Sequence, residues 1–164
     1  MIALGSGISR LYNNTIGSKI AAASLDLMGS SDAFSKYIAR RKDVDVNGYY
    51  DVIIHGNPEN VFLLWNGKLI EASHRHLATI LKHDQNYNNQ PIRLLSCETG
   101  QKQDGLAQHL ANKLGVSVKA PTELAWCLPN GMHGVAKRLS RNPNNPDWNR
   151  KGKYVTFYPG GKKK

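Results

Sequence analysis

Two apolar runs constrain this chain most. Tyr49-Tyr50-Asp51-Val52-Ile53-Ile54 and Ile92-Arg93-Leu94-Leu95-Ser96 stop abruptly at His55 and at Cys97. Both runs are β-branched, aromatic or leucine-rich, with little alternation, as expected of strands covered on both faces. Ser73 to His83 lies between them and reads as a helix, with Leu77, Ile80 and Leu81 facing inward. A second helix from Gly105 to Leu114 follows, with Asp104 as its N-cap and Gly115 as its stop, and then a third strand from Val116 to Ala120. Strand, helix, strand, helix, strand over residues 49–120 predicts βαβ units and a mostly parallel sheet flanked by helices.

Around that frame, hairpins are expected. VFLLW-NG-KLI, Val61 to Ile70, is the strongest such signal, because Asn-Gly suits the tight turn that joins two strands. Leu124 to Met132, turning at Pro129-Asn130-Gly131, is a second. Ser31-Asp32 caps an expected helix from Ala33 to about Lys42. Asn47-Gly48 reads as a turn, Asn86 to Pro91 and Arg141 to Asn149 as loops, and Tyr154 to Tyr158 as a last short strand. Residues 1–30, rich in Gly, Ser, Ala and Asn, read as a linker with one short helix around Lys19 to Leu27. The fold class is therefore α/β: one domain over residues 31–160 and a basic tail at 161–164.

A chain of 164 residues with 40% hydrophobic composition builds one core and not two. No apolar run reaches the ~18 to 20 residues that span a bilayer, so no membrane span is expected. The opening MIALGSGISRLYNN has no apolar core of the signal-peptide kind, and export is expected to depend on something outside this sequence. Cys97 and Cys127 allow one disulfide but no framework, and neither lies in a CxxC pair, which argues against a zinc knuckle. The net charge of +10 is uneven: residues 137–164 hold nine basic residues and one acidic residue, against thirteen and eleven in the rest. A basic end attracts nucleic acid or anionic surfaces without sequence preference, or simply keeps the chain soluble.

Ligands of parallel α/β sheets sit beyond the carboxyl ends of the strands. If the two runs are neighbours, His55 and Cys97 emerge there side by side. Imidazole and a helix N-terminus both favour a nucleophilic thiolate. The N–H groups of Gly56 and Cys97 are candidates for an oxyanion hole, and Asn57, Glu98 and Thr99 for substrate contacts. A cysteine closing a strand also serves well as a small buried apolar residue, and a single histidine is commonly structural. His74 and His76, at i and i+2, do not share a helix face, so no metal site is expected.

The blocks YYDVIIHG and IRLLSCETG resemble the His and Cys blocks of caspase-fold (clan CD) cysteine peptidases. In that group His ends one strand and Cys the next, in this order. The stretch from IRLLSCETG to VKAPTELAW, with a closing GKYVTFYPGG, is similar to C-terminal domains of polymorphic toxins of the Rhs and insecticidal toxin-complex type. The resemblance covers roughly residues 49–160. It implies a caspase-like sheet, shortened at its start. It also implies Cys97 as nucleophile, His55 as general base or orienting group, Gly56 at the oxyanion site, and no cofactor. A protein substrate is then expected, either a target-cell protein or the toxin's own precursor. Expected partners are the parent toxin, its translocation machinery or an immunity protein, with action in the target cytoplasm after delivery. The basic end keeps a nuclease acting on nucleic acid open as an alternative, and a non-catalytic binding domain as another.

Overall fold

The structure, a computed structural model, describes residues 24–29, 32–45 and 48–160. Its centre is a five-stranded sheet in the order β1 (Ser24–Asp26), β2 (Tyr50–Ile53), β6 (Ile92–Leu95), β7 (Val118–Pro121) and β11 (Tyr154–Phe157). The first four strands run parallel, and β11 closes one edge antiparallel to β7. The fold is thus α/β, a single domain on a mixed sheet.

The two apolar runs are neighbouring strands. Tyr50 pairs with Ile92, Asp51 with Arg93, Val52 with Leu94 and Ile53 with Leu95. All four β2 residues are buried, as their unbroken apolar pattern predicts. One face carries Tyr50, Val52, Ile54, Ile92 and Leu94 into the main core. That core is completed by helices α2 (His74–His83) and α3 (Leu106–Leu114), through Leu77 and Leu81 and through Leu106, Leu110 and Ala111. The other face is thinner. Ile53 and Leu95 pack there with Ile38 of helix α1 (Ala33–Ile38), Met28 and the partly buried Phe34, Cys127 and Tyr154.

Two three-stranded antiparallel sheets are added. The Asn-Gly hairpin forms as expected: β4 (Val61–Trp65) pairs with β5 (Lys68–Ala72), and Trp65 faces Lys68 across the turn. Asn66 and Gly67 have φ of 49° and 78°, the positive values that such a two-residue turn requires. β3, only His55–Gly56, joins β4 antiparallel. The chain therefore passes from the central sheet into the hairpin sheet at His55 itself, and not through a break. The third sheet orders β10 (Pro146–Lys151), β9 (His133–Arg138) and β8 (Leu124–Cys127).

Several boundaries differ from expectation. The linker reading of residues 1–30 fails at its end, since Ser24–Asp26 is a strand parallel to β2; residues 1–23 of that linker, most of the short helix expected there, Asn47 and the tail at 161–164 lie outside the described residues. α1 stops at Ile38 and not near Lys42. Three residues on, Arg41 turns inward: its Nε donates to Asp51 Oδ2 at 3.0 Å and its Nη1 to the Ile38 carbonyl at 2.9 Å. Pro146 to Asn149, expected as loop, belongs to β10, which is tied to β9 with a register shift after Asp147. The N-cap of α3 is Gly105, because the carboxylate of Asp104 lies instead 3.1 Å from His109 Nε2.

Below the strand ends sits a charged network. Asp51 accepts from Arg93 Nε and Nη2, both at 2.7 Å, besides Arg41. Arg93 reaches on to Asp43 at 2.9 Å, and Asp43 lies 2.9 Å from His133 Nε2. These groups pin β2 to β6, the segment after α1 and the start of β9. Their mutual attraction holds the Asp43 carboxyl well below the usual carboxylate range despite partial burial, with Arg93 and His133 as the partners.

Candidate functional site at the carboxyl ends of the parallel strands

The parallel strands β1, β2 and β6 bring three chemistry-bearing residues to one edge. Asp26 ends β1, His55 follows β2 after Ile54, and Cys97 follows β6 after Ser96. The ladder continues past the strands, with Ile54 N–H donating to the Leu95 carbonyl at 3.3 Å. The segments after His and after Cys are in close contact. A Cβ on Gly56 would lie 2.6 Å from Thr99 Cγ2 and 3.6 Å from the Cys97 carbonyl oxygen, so a side chain at 56 would push the two segments apart.

Each reactive side chain has a partner. His55 Nε2 lies 2.8 Å from Asp32 Oδ2, with the two side chains 35% and 25% exposed. Asp32 is the N-cap of α1, and its other oxygen accepts from the N–H groups of Phe34 (2.8 Å) and Ser35 (3.4 Å). Cys97 Sγ accepts from the Ala125 N–H of β8 at 3.4 Å. Thiol and imidazole are thus not hydrogen-bonded to each other.

The electrostatics differ from a resting thiolate. Burial pushes the Cys97 thiol above its ordinary range and the charge of Glu98 adds to this, while the Ala125 N–H and the charge of Arg138 pull the other way. The N-terminus of α3 does not offset it: its Leu106 and Ala107 N–H groups donate to the Pro58 and Thr99 carbonyls. Asp26 is also shifted. Burial raises its carboxyl, as does the charge of Asp32, against hydrogen bonds from the Ser35 hydroxyl and the Met28 N–H.

The expected substrate contacts separate into different roles. Thr99 is fully buried, and its hydroxyl bonds that of Ser96 at 2.7 Å, so it packs the loop from inside. Asn57 uses Oδ1 to accept the Glu59 and Asn60 N–H groups at 2.9 and 2.8 Å, closing the turn into β4. Glu98 remains partly exposed beside Cys97. Its φ of 60° is a left-handed conformation that non-glycine residues rarely adopt. Its N–H donates to the Glu123 carbonyl at 3.0 Å, and its carboxylate accepts from Gln101 Nε2 at 3.3 Å.

Elsewhere, Cys97 and Cys127 are both free thiols. A cleft of about 520 Å³ is lined by Lys42, Asp43, Asn130, Gly131, Met132 and His133, and none of the strand-end residues lines it. Among the described residues no group of three His, Cys, Asp or Glu side chains is arranged to hold a metal, and no helix is long and apolar enough to cross a membrane.

In the sequence, Asp32 reads only as a helix cap. The cap is present, but it uses one carboxylate oxygen and leaves the other for His55, which lies 23 positions away. No local pattern carries such a contact.

Fold and edge together define an α/β domain with His and Cys at the ends of adjacent parallel strands. The chain matches the model of a family described as a domain of unknown function (DUF8616) over residues 23–138, and it belongs to that family. The match runs from β1 to the last residue of β9 and so contains Asp26, Asp32, His55 and Cys97. No curated protein and no solved structure matches the chain.

Proposed function

We propose that the domain is a cysteine peptidase of caspase-like type, delivered into a target cell as part of a larger toxin. Its substrate is a protein, either of the target cell or of the toxin's own precursor. One observation carries the reading: His55 and Cys97 follow directly paired parallel strands, His first in the chain, at the edge where α/β sheets bind ligands. This agrees with the resemblance of YYDVIIHG and IRLLSCETG to the caspase-fold blocks.

The raised thiol favours general-base attack over attack by a preformed thiolate. The Cys97 S–H proton passes to the His55 imidazole as the sulfur attacks the peptide carbonyl carbon. The carbonyl electron pair moves onto oxygen, where the Gly56 and Cys97 N–H groups are the donors; the Glu98 N–H is already taken by Glu123. The proton then goes to the leaving amine, and water hydrolyses the acyl-enzyme. The positive charge of Arg138, which favours the thiolate, supports the first step.

The test is peptide cleavage. Wild-type protein and Cys97→Ala are incubated with a proteome-derived peptide mixture, and new termini are read by mass spectrometry. New termini made by wild type and absent with a folded Cys97→Ala support the reading. Equal cleavage by both, or loss of cellular RNA or DNA that needs His55 but not Cys97, overturns it.

A further inference from the structure

We infer that Asp32 is a positioning residue for His55, fixing the imidazole so that Nδ1 is the acting nitrogen; this role in the reaction rests on the peptidase reading above. The carboxylate is anchored from both sides. Oδ1 is held by the Phe34 and Ser35 N–H groups at the start of α1, and Oδ2 lies 2.8 Å from His55 Nε2. An ionised carboxylate only accepts hydrogen bonds. The neutral imidazole therefore carries its proton on Nε2, donated to Asp32, and Nδ1 holds the lone pair.

Nδ1 then takes the Cys97 S–H proton as the carbon–sulfur bond forms, and gives it to the amine nitrogen as the peptide C–N bond breaks. Asp32 stays ionised throughout and stabilises the imidazolium between those two steps. The backbone supports the placement. Asp26, at the end of the adjacent strand, binds the Ser35 hydroxyl and the Met28 N–H, which ties the first turn of α1 to the sheet edge. The helix that carries Asp32 is thereby fixed to the strand next to the one that leads to His55.

The experiment uses Asp32→Asn. Asn caps helices about as well as Asp, so α1 is retained. The two N–H groups of Phe34 and Ser35 require the amide oxygen on their side, and this turns the NH2 group toward His55 Nε2. His55 must then accept at Nε2 and carry its proton on Nδ1. Long-range ¹H–¹⁵N spectra of ¹⁵N-histidine-labelled protein read this directly. Wild type is expected as the Nε2–H form and Asp32→Asn as the Nδ1–H form. A purely structural role for Asp32 would leave the tautomer unmoved. Labelling of Cys97 by a peptidyl electrophile is expected to slow 100-fold or more in the same variant. Wild-type His55 protonated on Nδ1, or a tautomer unchanged by Asp32→Asn, overturns the inference. A tautomer that inverts while Cys97 labelling stays at the wild-type rate supports the Asp32–His55 coupling and overturns the peptidase reading instead.

Discussion

Replacing Asp51 with alanine should destabilise this domain more than almost any other polar substitution. Asp51 and Arg41 have side chains only 1% exposed, and Asp51 accepts from two guanidinium groups. The two arginines would not suffer equally. Arg93 keeps Asp43, whereas Arg41 is left with the Ile38 carbonyl. Stranding a buried charge in this way costs about 3–5 kcal/mol, a large part of the ~5–15 kcal/mol that holds a domain folded. With a urea slope of roughly 2 kcal/mol per M, the unfolding midpoint falls by about 2 M. Urea titration followed by circular dichroism measures this. Arg41→Met in the Asp51→Ala background removes the stranded charge and should recover part of the loss, giving a coupling above about 1 kcal/mol. A midpoint shift under about 0.5 M, or strictly additive single and double variants, would refute the reasoning.

Three further outcomes follow from the same geometry. Gly56→Ala places a methyl against Thr99 Cγ2 and should cost about 1–3 kcal/mol in thermal or urea unfolding, and the cleavage proposed for Cys97 should fall further as the strand ends separate. Glu98→Gln removes a negative charge that raises the Cys97 pKa, so iodoacetamide alkylation of Cys97 at pH 7 should speed up, and an unchanged or slower rate would contradict that sign. The depressed Asp43 carboxyl contributes stability above the ordinary Asp range and loses it as pH falls through its lower folded value. Asp43→Asn should therefore flatten the acid limb of stability measured from pH 5 downward, while a limb as steep as wild type would count against the network.

How far the sequence reaches can be judged from particular elements. β2, β6 and the β4–β5 hairpin were legible because their local pattern and their tertiary role coincide: unbroken apolar runs lie in the middle of the sheet, and Asn66-Gly67 suits its turn. β1 was not, since three residues in a Gly/Ser/Ala-rich stretch carry no period and become a strand only by pairing with β2. β10 was hidden for a related reason: its Asn- and Pro-containing sequence is largely exposed and is held by β9 alone. α1 ended early because Arg41 is drawn to Asp51 across the sheet face, a contact that helical spacing does not encode. At the site, the placement of His55 and Cys97 after neighbouring parallel strands followed from strand order. The Asp32–His55 contact and the raised thiol did not. The first is a long-range contact made with the spare oxygen of a helix cap, and the second is set by burial and by the charge of Glu98.

The most direct measurement uses the two free cysteines as each other's control. Burial raises both thiols, that of Cys127 to about 11, so ordinary acidity does not mark Cys97 as the nucleophile. The protein is treated with a mixture of peptidyl acyloxymethyl ketones and mapped by mass spectrometry, in wild type and in His55→Ala. If the strand-end pair is a peptidase site, the adduct forms on Cys97 in preference to Cys127, and its rate falls about 100-fold or more without the imidazole. Equal labelling of the two cysteines, or Cys97 labelling untouched by His55→Ala in a folded protein, would contradict the account.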